Sequence, residues 1–418
     1  MKTDLQNIAQ ISAAFAAMKT REDLVATLNL AKKTVYGPKS KDFALKNLTY
    51  FADKRISTNR YTVFKIPKKQ GGSRTIHAPA PGLKAILRSL NFALLSVYGD
   101  GYEDSAMGFI PGKSIKDNAA RHAGKLFVLN IDLKDFFPSV DLHRVKAILK
   151  QPPFNLHGEK EPLAYFIANL CCEAIEVQRL DEKGELIKKV LDVLPQGAPT
   201  SPAITNFIAY RMDRRLKGAA KRFGATYTRY ADDITFSSNH NLYGKNSEFI
   251  LEIRRIISEQ GFLINESKIR LQQPWFRQEV TGLIVNERPN VPRTYVKQIR
   301  QWIYLWENYG YEKANRFFRR DYASNTKKLN TVIPPMERVL EGKLQYMKMV
   351  VGKDCPSWQK LDSRFTLLQA NSTIDGLASF HLDEELEALV AAINKDMDQY
   401  QEENLEFEII EETQSDDE

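Results

Sequence analysis

The sequence predicts an α+β fold, and two observations carry that prediction. Short runs rich in β-branched and aromatic residues are separated by helical stretches of unequal length. No regular strand–helix–strand alternation and no internal repeat accompanies them, which argues against a doubly wound sheet. With 418 residues, 43% hydrophobic and 10% aromatic, the chain is an ordinary globular one, long enough for two or three subdomains.

The elements follow in order. Residues 1–50 hold few Gly or Pro residues and read as helical. "YTVFKIPKKQGGSRTIHAPAPGLKAILRSL" reads as strand, Gly-Gly turn, strand, proline-rich loop and helix. Leu126–Ile131 reads as a buried strand ending at Asp132; Pro138 closes the segment and "VDLHRVKAILK" opens a helix. Residues 163–178 read as helix and 179–193 as a hairpin around "DEKGE". "LPQGAPTSP" is a loop leading into a long helix. A strand pair, Tyr227–Ala231 and Ile234–Ser237, then flanks Asp232 and Asp233. "SEFILEIRRIISEQG" is helical, and "FLINESKIRL" and "QEVTGLIVN" are strand material. From about Thr294 the pattern is helical, with aromatics interleaved among basic residues.

Charge narrows the function classes. Residues 382–418 hold 15 acidic residues and one basic residue, a net −14; residues 1–381 hold 59 basic and 37 acidic residues, a net +22. A body that basic attracts polyphosphate. The acidic end keeps an apolar helical stripe at Leu382, Leu386, Leu389, Val390 and Ile393, and 402–418 read as disordered. No apolar run approaches the roughly 20 residues that span a bilayer. The N-terminus reads as an amphipathic helix rather than a signal peptide, so a cytoplasmic, membrane-free protein is expected. Cys171, Cys172 and Cys355 lack the spacing of a disulfide framework or a metal knuckle and are expected as core thiols.

Adjacent Asp232 and Asp233 repel unless a positive group sits beside them. A bare Asp-Asp turn is the plain alternative. A third carboxylate, Asp132, ends an apolar strand 100 positions earlier. Set beside the hairpin, that strand brings three carboxylates to one sheet edge. Such a set fits two Mg²⁺ ions about 3.5–4 Å apart, one lowering the pKa of an attacking hydroxyl and the other steadying a leaving pyrophosphate.

"NIDLKDFFPSV", "LPQGAPTSP" and "YADD", in this order and spacing, resemble the palm motifs of reverse transcriptases over roughly residues 50–365. The resemblance implies a right-hand polymerase of fingers, palm and thumb. The divisions expected are an N-terminal helical segment (1–50), fingers and palm (51–290), thumb (291–375) and an acidic C-terminal helix and tail (376–418). It implies Asp132, Asp232, Asp233 and the Leu133 carbonyl as ligands of two Mg²⁺ ions, with Mn²⁺ as a substitute. Phe137 matches the ring that excludes a 2′-OH and so selects dNTPs. Gln196 and Gly197 match the loop near the nascent pair, and Gly permits close backbone approach. Arg74 matches the finger arginine that grips triphosphate oxygens, with Lys65 or Lys68 assisting. Lys268 matches a lysine that protonates pyrophosphate, with a surface lysine as the plain alternative.

Finer motifs are similar to those of bacterial retron reverse transcriptases: "NAARH", carrying Asn118 and His122; "VTG", Val280, Thr281 and Gly282; and the thumb-like "VLEGKLQYMKMVVGKD". That resemblance implies a cognate structured non-coding RNA, copied in part into single-stranded msDNA from the 2′-OH of an internal guanosine. It also implies a separate effector protein and a role in anti-phage defence. Asn118, His122 and the Val280–Gly282 triplet are the expected RNA contacts, with a helix N-cap beside a satisfied histidine, and a strand ending at a bulge, as the plain alternatives. Arg300, Arg316, Arg319 and Arg320 are set for phosphates, and the aromatics of Trp302–Tyr311 and Arg316–Tyr322 for stacking, with a helical thumb core under a solvated basic face as the plain alternative. A diversity-generating, intron-type or abortive-infection reverse transcriptase would share the palm motifs. A non-catalytic RNA-binding scaffold would not need the three aspartates intact.

Overall fold

The computed structural model describes residues 5–67, 72–180, 185–326 and 333–372. Lys68 and the acidic end lie outside the described residues. The chain divides into two units, residues 1–297 with 345–355, and residues 298–344 with 356–418.

The first unit opens with α1 (Leu5–Ala17), α2 (Arg21–Tyr36) and α3 (Leu45–Ala52). Thr20 caps α2 through the Asp23 N–H, and Asp23 bonds back to the Thr20 N–H. A hairpin follows, β1 (Tyr61–Pro67) with β2 (Ser73–Pro79), and then α4 (Pro81–Tyr98), which packs on α1 and α2. Next come α5 (Ile115–Ala120), β3 (Phe127–Lys134), α6 (Leu142–Leu149) and α7 (Glu161–Cys171).

The helix expected over 163–178 ends at Cys171. Residues from Glu173 form β4 (Glu173–Leu180), paired along its length with β5 (Leu186–Val193). Ile175 and Val177 alternate with polar residues in "EAIEVQRL", a period of two that outweighs continuation of the helix.

α8 (Ser201–Arg222) precedes the central hairpin β6 (Thr226–Tyr230) and β7 (Asp233–Ser238), followed by α9 (Glu248–Glu259). Short strands β8 (Leu263–Ile264), β9 (Arg270–Gln272), β10 (Glu279–Val280) and β11 (Leu283–Ile284) complete the unit's strands. The main sheet runs β6-β7-β3-β8, with β9 also on β3, all antiparallel. β3 is central and mostly buried, as its apolar run requires. Its register puts Asp132 opposite Asp233. Cys171 and Cys172 are buried in the core.

α10 (Arg293–Thr326), kinked at Gly310, α11 (Met336–Val351) and α12 (Pro356–Ser372) end the described chain. Within the second unit Trp302 meets Phe318 edge-on at 5.0 Å, and Trp306 meets Phe365 at 6.0 Å. Trp302, Trp306, Phe317 and Phe318 are buried. These rings, expected to stack on bases, are therefore the unit's core, because helical spacing sets them on its inward stripe. Arg300, Arg316 and Arg319 are exposed.

Candidate active site

Asp132 reaches the end of the sheet because β3 pairs with β7 up to that residue, and the two-residue turn Ala231-Asp232 delivers Asp232 and Asp233 beside it. The turn is sharp: Ala231 has φ +57, a conformation that costs an L-residue about 1–2 kcal/mol. It is held from behind. Fully buried Arg229 donates from Nη1 to the Ala231 carbonyl (3.1 Å) and to Asn206 Oδ1 (3.0 Å). Its Nε and Nη2 grip Asp213 at 2.8 and 2.7 Å. The Tyr227 hydroxyl donates to the same carboxylate at 2.7 Å. Gly108 presses on the turn, where an added Cβ would lie 2.5 Å from the Ala231 nitrogen, and Asn206 Nδ2 holds the Gly108 carbonyl at 2.9 Å.

Asp132 is met by Lys268 Nζ at 2.8 Å on Oδ2 and by Asn265 Nδ2 at 3.1 Å on Oδ1. Burial, and then the charge of Asp132, raise the Asp232 pKa. Asp233 is pushed up to about 6, first by desolvation and then by the charges of Asp232 and Asp132, although the residue keeps solvent access at the turn. Arg74 and Lys268 oppose both shifts.

Among the described residues no group of three or more His, Cys, Asp or Glu residues is closed up tightly enough to hold an ion. The donor chemistry nevertheless fits a hard divalent cation: three carboxylates with surplus negative charge, one of them already neutralised by an ammonium in the cation's stead. The Leu133 carbonyl belongs to the next position of β3, whose N–H bonds the Asp232 carbonyl at 2.9 Å.

Arg74 is exposed on β2, and Lys65 is exposed on β1. The "LPQG" loop is tied to that hairpin, since the His77 N–H donates to the Gln196 carbonyl at 2.8 Å. Gly197 is obligatory there: its φ is +123, and a Cβ would lie 2.5 Å from the His77 carbonyl oxygen. Phe137 is half-buried, 5.5 Å from Phe136 and 6.2 Å from Phe109. Phe109, which sequence reasoning missed, is exposed with φ +59 and also approaches Tyr230 at 6.5 Å.

Asn118 and His122 lie inside the protein, which corrects their expected role as hydrogen-bonding groups for RNA. His122 is fully buried. Its Nδ1 bonds Ser237 Oγ and its Nε2 bonds Thr228 Oγ1, each at 2.7 Å, so the ring bridges both strands of the carboxylate hairpin from its rear. Burial pushes its pKa down to about 3, and it stays neutral. Asn118 Nδ2 contacts Thr281 Oγ1 at 3.4 Å. Thr281 and Gly282 both have positive φ (+48 and +83) and join β10 to β11 as a type I′ turn. Val280 is buried and Gly282 exposed.

The sequence profile of the reverse transcriptase (RNA-dependent DNA polymerase) family matches residues 66–298. The retron Mx65 reverse transcriptase of Myxococcus xanthus is 40% identical over 60% of this chain and 57% of that protein. The retron Mx162 reverse transcriptase of the same organism is 37% identical over 64% and 57%. The retron Ec86 reverse transcriptase of Escherichia coli is 32% identical over 62% of this chain and 72% of that protein. A solved telomerase from Candida albicans aligns with 80% of this chain and 66% of that chain at a TM-score of 0.42 and 13% identity. The chain belongs to the reverse transcriptase family and, within it, to the bacterial retron reverse transcriptases. It spans a little over half the length of the two Myxococcus relatives.

The raised Asp233 pKa sets a pH dependence. The folded state favours the protonated carboxyl, so the stability this group contributes is full below about 4 and lost as pH rises through about 6. In chelator, the melting temperature should lose this contribution over that window. Mg²⁺ should raise it at pH 8 and do nothing near pH 5, where protons compete for the carboxylate. Thermal melts across pH with and without Mg²⁺ check this, and Asp233→Asn should flatten both dependences.

Proposed function

We propose that this chain is an RNA-directed DNA polymerase of the retron kind. It copies part of a cognate structured non-coding RNA into msDNA, starting from the 2′-OH of an internal guanosine and consuming dNTPs in the cytoplasm. The observation that carries the reading is the convergence of Asp132, Asp232 and Asp233 at one end of the sheet, with Lys268 and Arg74 in their field. On this reading residues 51–290 are fingers and palm and 291–375 the thumb. Residues 1–50 are an N-terminal helical segment, and 376–418 an acidic extension. A separate effector protein and a role in anti-phage defence complete the proposal, as the resemblance of the sequence motifs to retron reverse transcriptases implies.

Mg²⁺, or Mn²⁺ in its place, supplies Lewis acidity toward the attacking hydroxyl and the departing pyrophosphate when bound. The protein's own part is positioning and charge. Asp132, Asp232 and Asp233, with the Leu133 carbonyl, would hold the ions, on paired strands and the tight turn between two of them, which leave them little freedom. Arg74, with Lys65 or Lys68, binds triphosphate oxygens bidentately or as a point charge. Lys268 carries the proton that the pyrophosphate takes up. Gln196 and Gly197, tied to β2, bring backbone close to the nascent pair. Exposed Arg300, Arg316 and Arg319 bind RNA phosphates.

Primer extension with dNTPs on an annealed RNA template tests the reading; a folded, RNA-binding chain that incorporates nothing would favour the scaffold alternative. Phe137, beside Phe109, excludes the 2′-OH. Phe137→Val should therefore raise CTP use relative to dCTP by roughly tenfold or more, read as the ratio of kcat/KM on one template. An unchanged ratio makes Phe137 a packing residue only.

A further inference from the structure

The turn between β9 and β10 has no part in the site described above. Its sequence, Gln273–Arg277, is "QPWFR". Trp275 is 87% exposed and Phe276 68% exposed. The turn that presents them is well bonded. The Phe276 N–H donates to the Gln273 carbonyl (3.1 Å), and Asn286 Nδ2 donates to the Phe276 carbonyl (3.0 Å). The Gln278 N–H donates to Asn286 Oδ1 (2.9 Å), and Gln278 Nε2 donates to the Leu126 carbonyl (2.9 Å). Two large rings are thus held out in water by a fixed backbone.

Their surroundings are cationic rather than aliphatic. Arg270, Arg277 and Arg288 are exposed on the segments that build this turn, and Lys125 is half-buried beside Leu126. Glu279, which pairs with Arg277 at 3.0 Å, and Glu287 are the nearby acids. Among the exposed large apolar side chains, Leu126 alone belongs to a segment bonded to the turn. A protein-docking patch would be broader, a contiguous apolar area of several hundred Å². Paired rings amid cations on a strongly basic body are what successive nucleobases and their phosphates require.

We propose that Trp275 and Phe276 form a stacking platform for unpaired bases of RNA. The inference deepens the polymerase reading and rests on it. β9 pairs Gln272 with Val128, four residues along β3 from Asp132, so about 13 Å of strand separates the platform from the carboxylates. It grips RNA away from the reacting end.

The tryptophans supply the readout. Trp302, Trp306 and Trp358 are buried, leaving Trp275 the exposed one of four. The probe is an RNA duplex with an eight-nucleotide single-stranded tail, titrated into the full chain in chelator, where no synthesis occurs. The tail should quench Trp275 emission and shield it from acrylamide, and a blunt duplex should not. Read by the anisotropy of a fluorophore on the RNA, Trp275→Ala with Phe276→Ala should weaken tail binding roughly tenfold or more with an unchanged melting temperature, and Trp275→Phe should keep the affinity. Equal affinity in the double variant, or equal quenching by the blunt duplex, overturns the proposal. So does shielding by phosphatidylserine vesicles but not by RNA, which would make the turn a lipid contact. So does loss of a dimer in the variant with RNA binding intact, which would make it a contact between copies. Primer extension by the wild type is scored separately. Its absence sinks the polymerase reading whatever RNA does at Trp275, and its presence beside an inert platform sinks only this one.

Discussion

Asp233→Asn is expected to lower DNA synthesis by at least about a thousandfold, or roughly 4 kcal/mol of transition-state stabilisation, while the chain still folds and binds RNA. The asymmetry has a physical cause. Asp233 shares a sheet end with Asp132 and Asp232, and their mutual repulsion is part of what raises its pKa. Asparagine keeps the shape, removes one negative charge, and leaves less to repel when no cation is bound. The same loss removes an anionic donor from a set that must hold divalent ions. Single-turnover dNTP incorporation, measured beside a thermal melt, checks both halves. Near-wild-type incorporation would remove Asp233 from the chemistry.

Arg229→Ala is expected to destabilise the protein by about 3–5 kcal/mol, because it strands the buried Asp213 carboxylate with the Tyr227 hydroxyl as its remaining donor and leaves Asn206 Oδ1 without the guanidinium. Urea denaturation gives the figure. Replacing both charged partners, Arg229→Met with Asp213→Leu, should recover much of that stability, since no buried charge then remains unpaired. Synthesis should stay low in the double variant. The Ala231 carbonyl loses its donor, and the left-handed turn that aims Asp232 and Asp233 is no longer held. Full recovery of turnover in the double variant would show that the turn needs no support from Arg229.

The two halves of this site differed in how readable they were. Asp132, Asp232 and Asp233 stood out because each sits in a local pattern, an apolar strand ending in a carboxylate and a hairpin with like charges at its turn. The α+β architecture was readable for the same reason: the periods of its strands and helices are local. The support of the carboxylates was not. Arg229 reads as one more basic residue until the fold buries it against Asp213, sixteen positions back on α8, and a sequence does not display burial. One signal was present: Tyr227, Arg229 and Ala231 alternate on one face of a strand otherwise made for a core. Asn118 and His122 misled for the opposite reason. Polar residues in a short motif invite a surface reading, yet His122 spends both ring nitrogens on Thr228 and Ser237 inside the protein. Likewise, interleaved aromatic and basic residues in α10 suggested stacking, where helical periodicity places Trp302, Trp306 and Phe318 inward.

The central claim is that this carboxylate cluster joins DNA to an RNA 2′-OH. It is tested most directly by the nucleic acid that travels with the protein when it is expressed from its native locus. Wild-type protein should carry a DNA strand covalently branched from an internal guanosine of an RNA, and Asp233→Asn protein should carry the same RNA without DNA. Branched DNA on the Asp233→Asn protein, or RNA alone on an active wild type, would contradict the account.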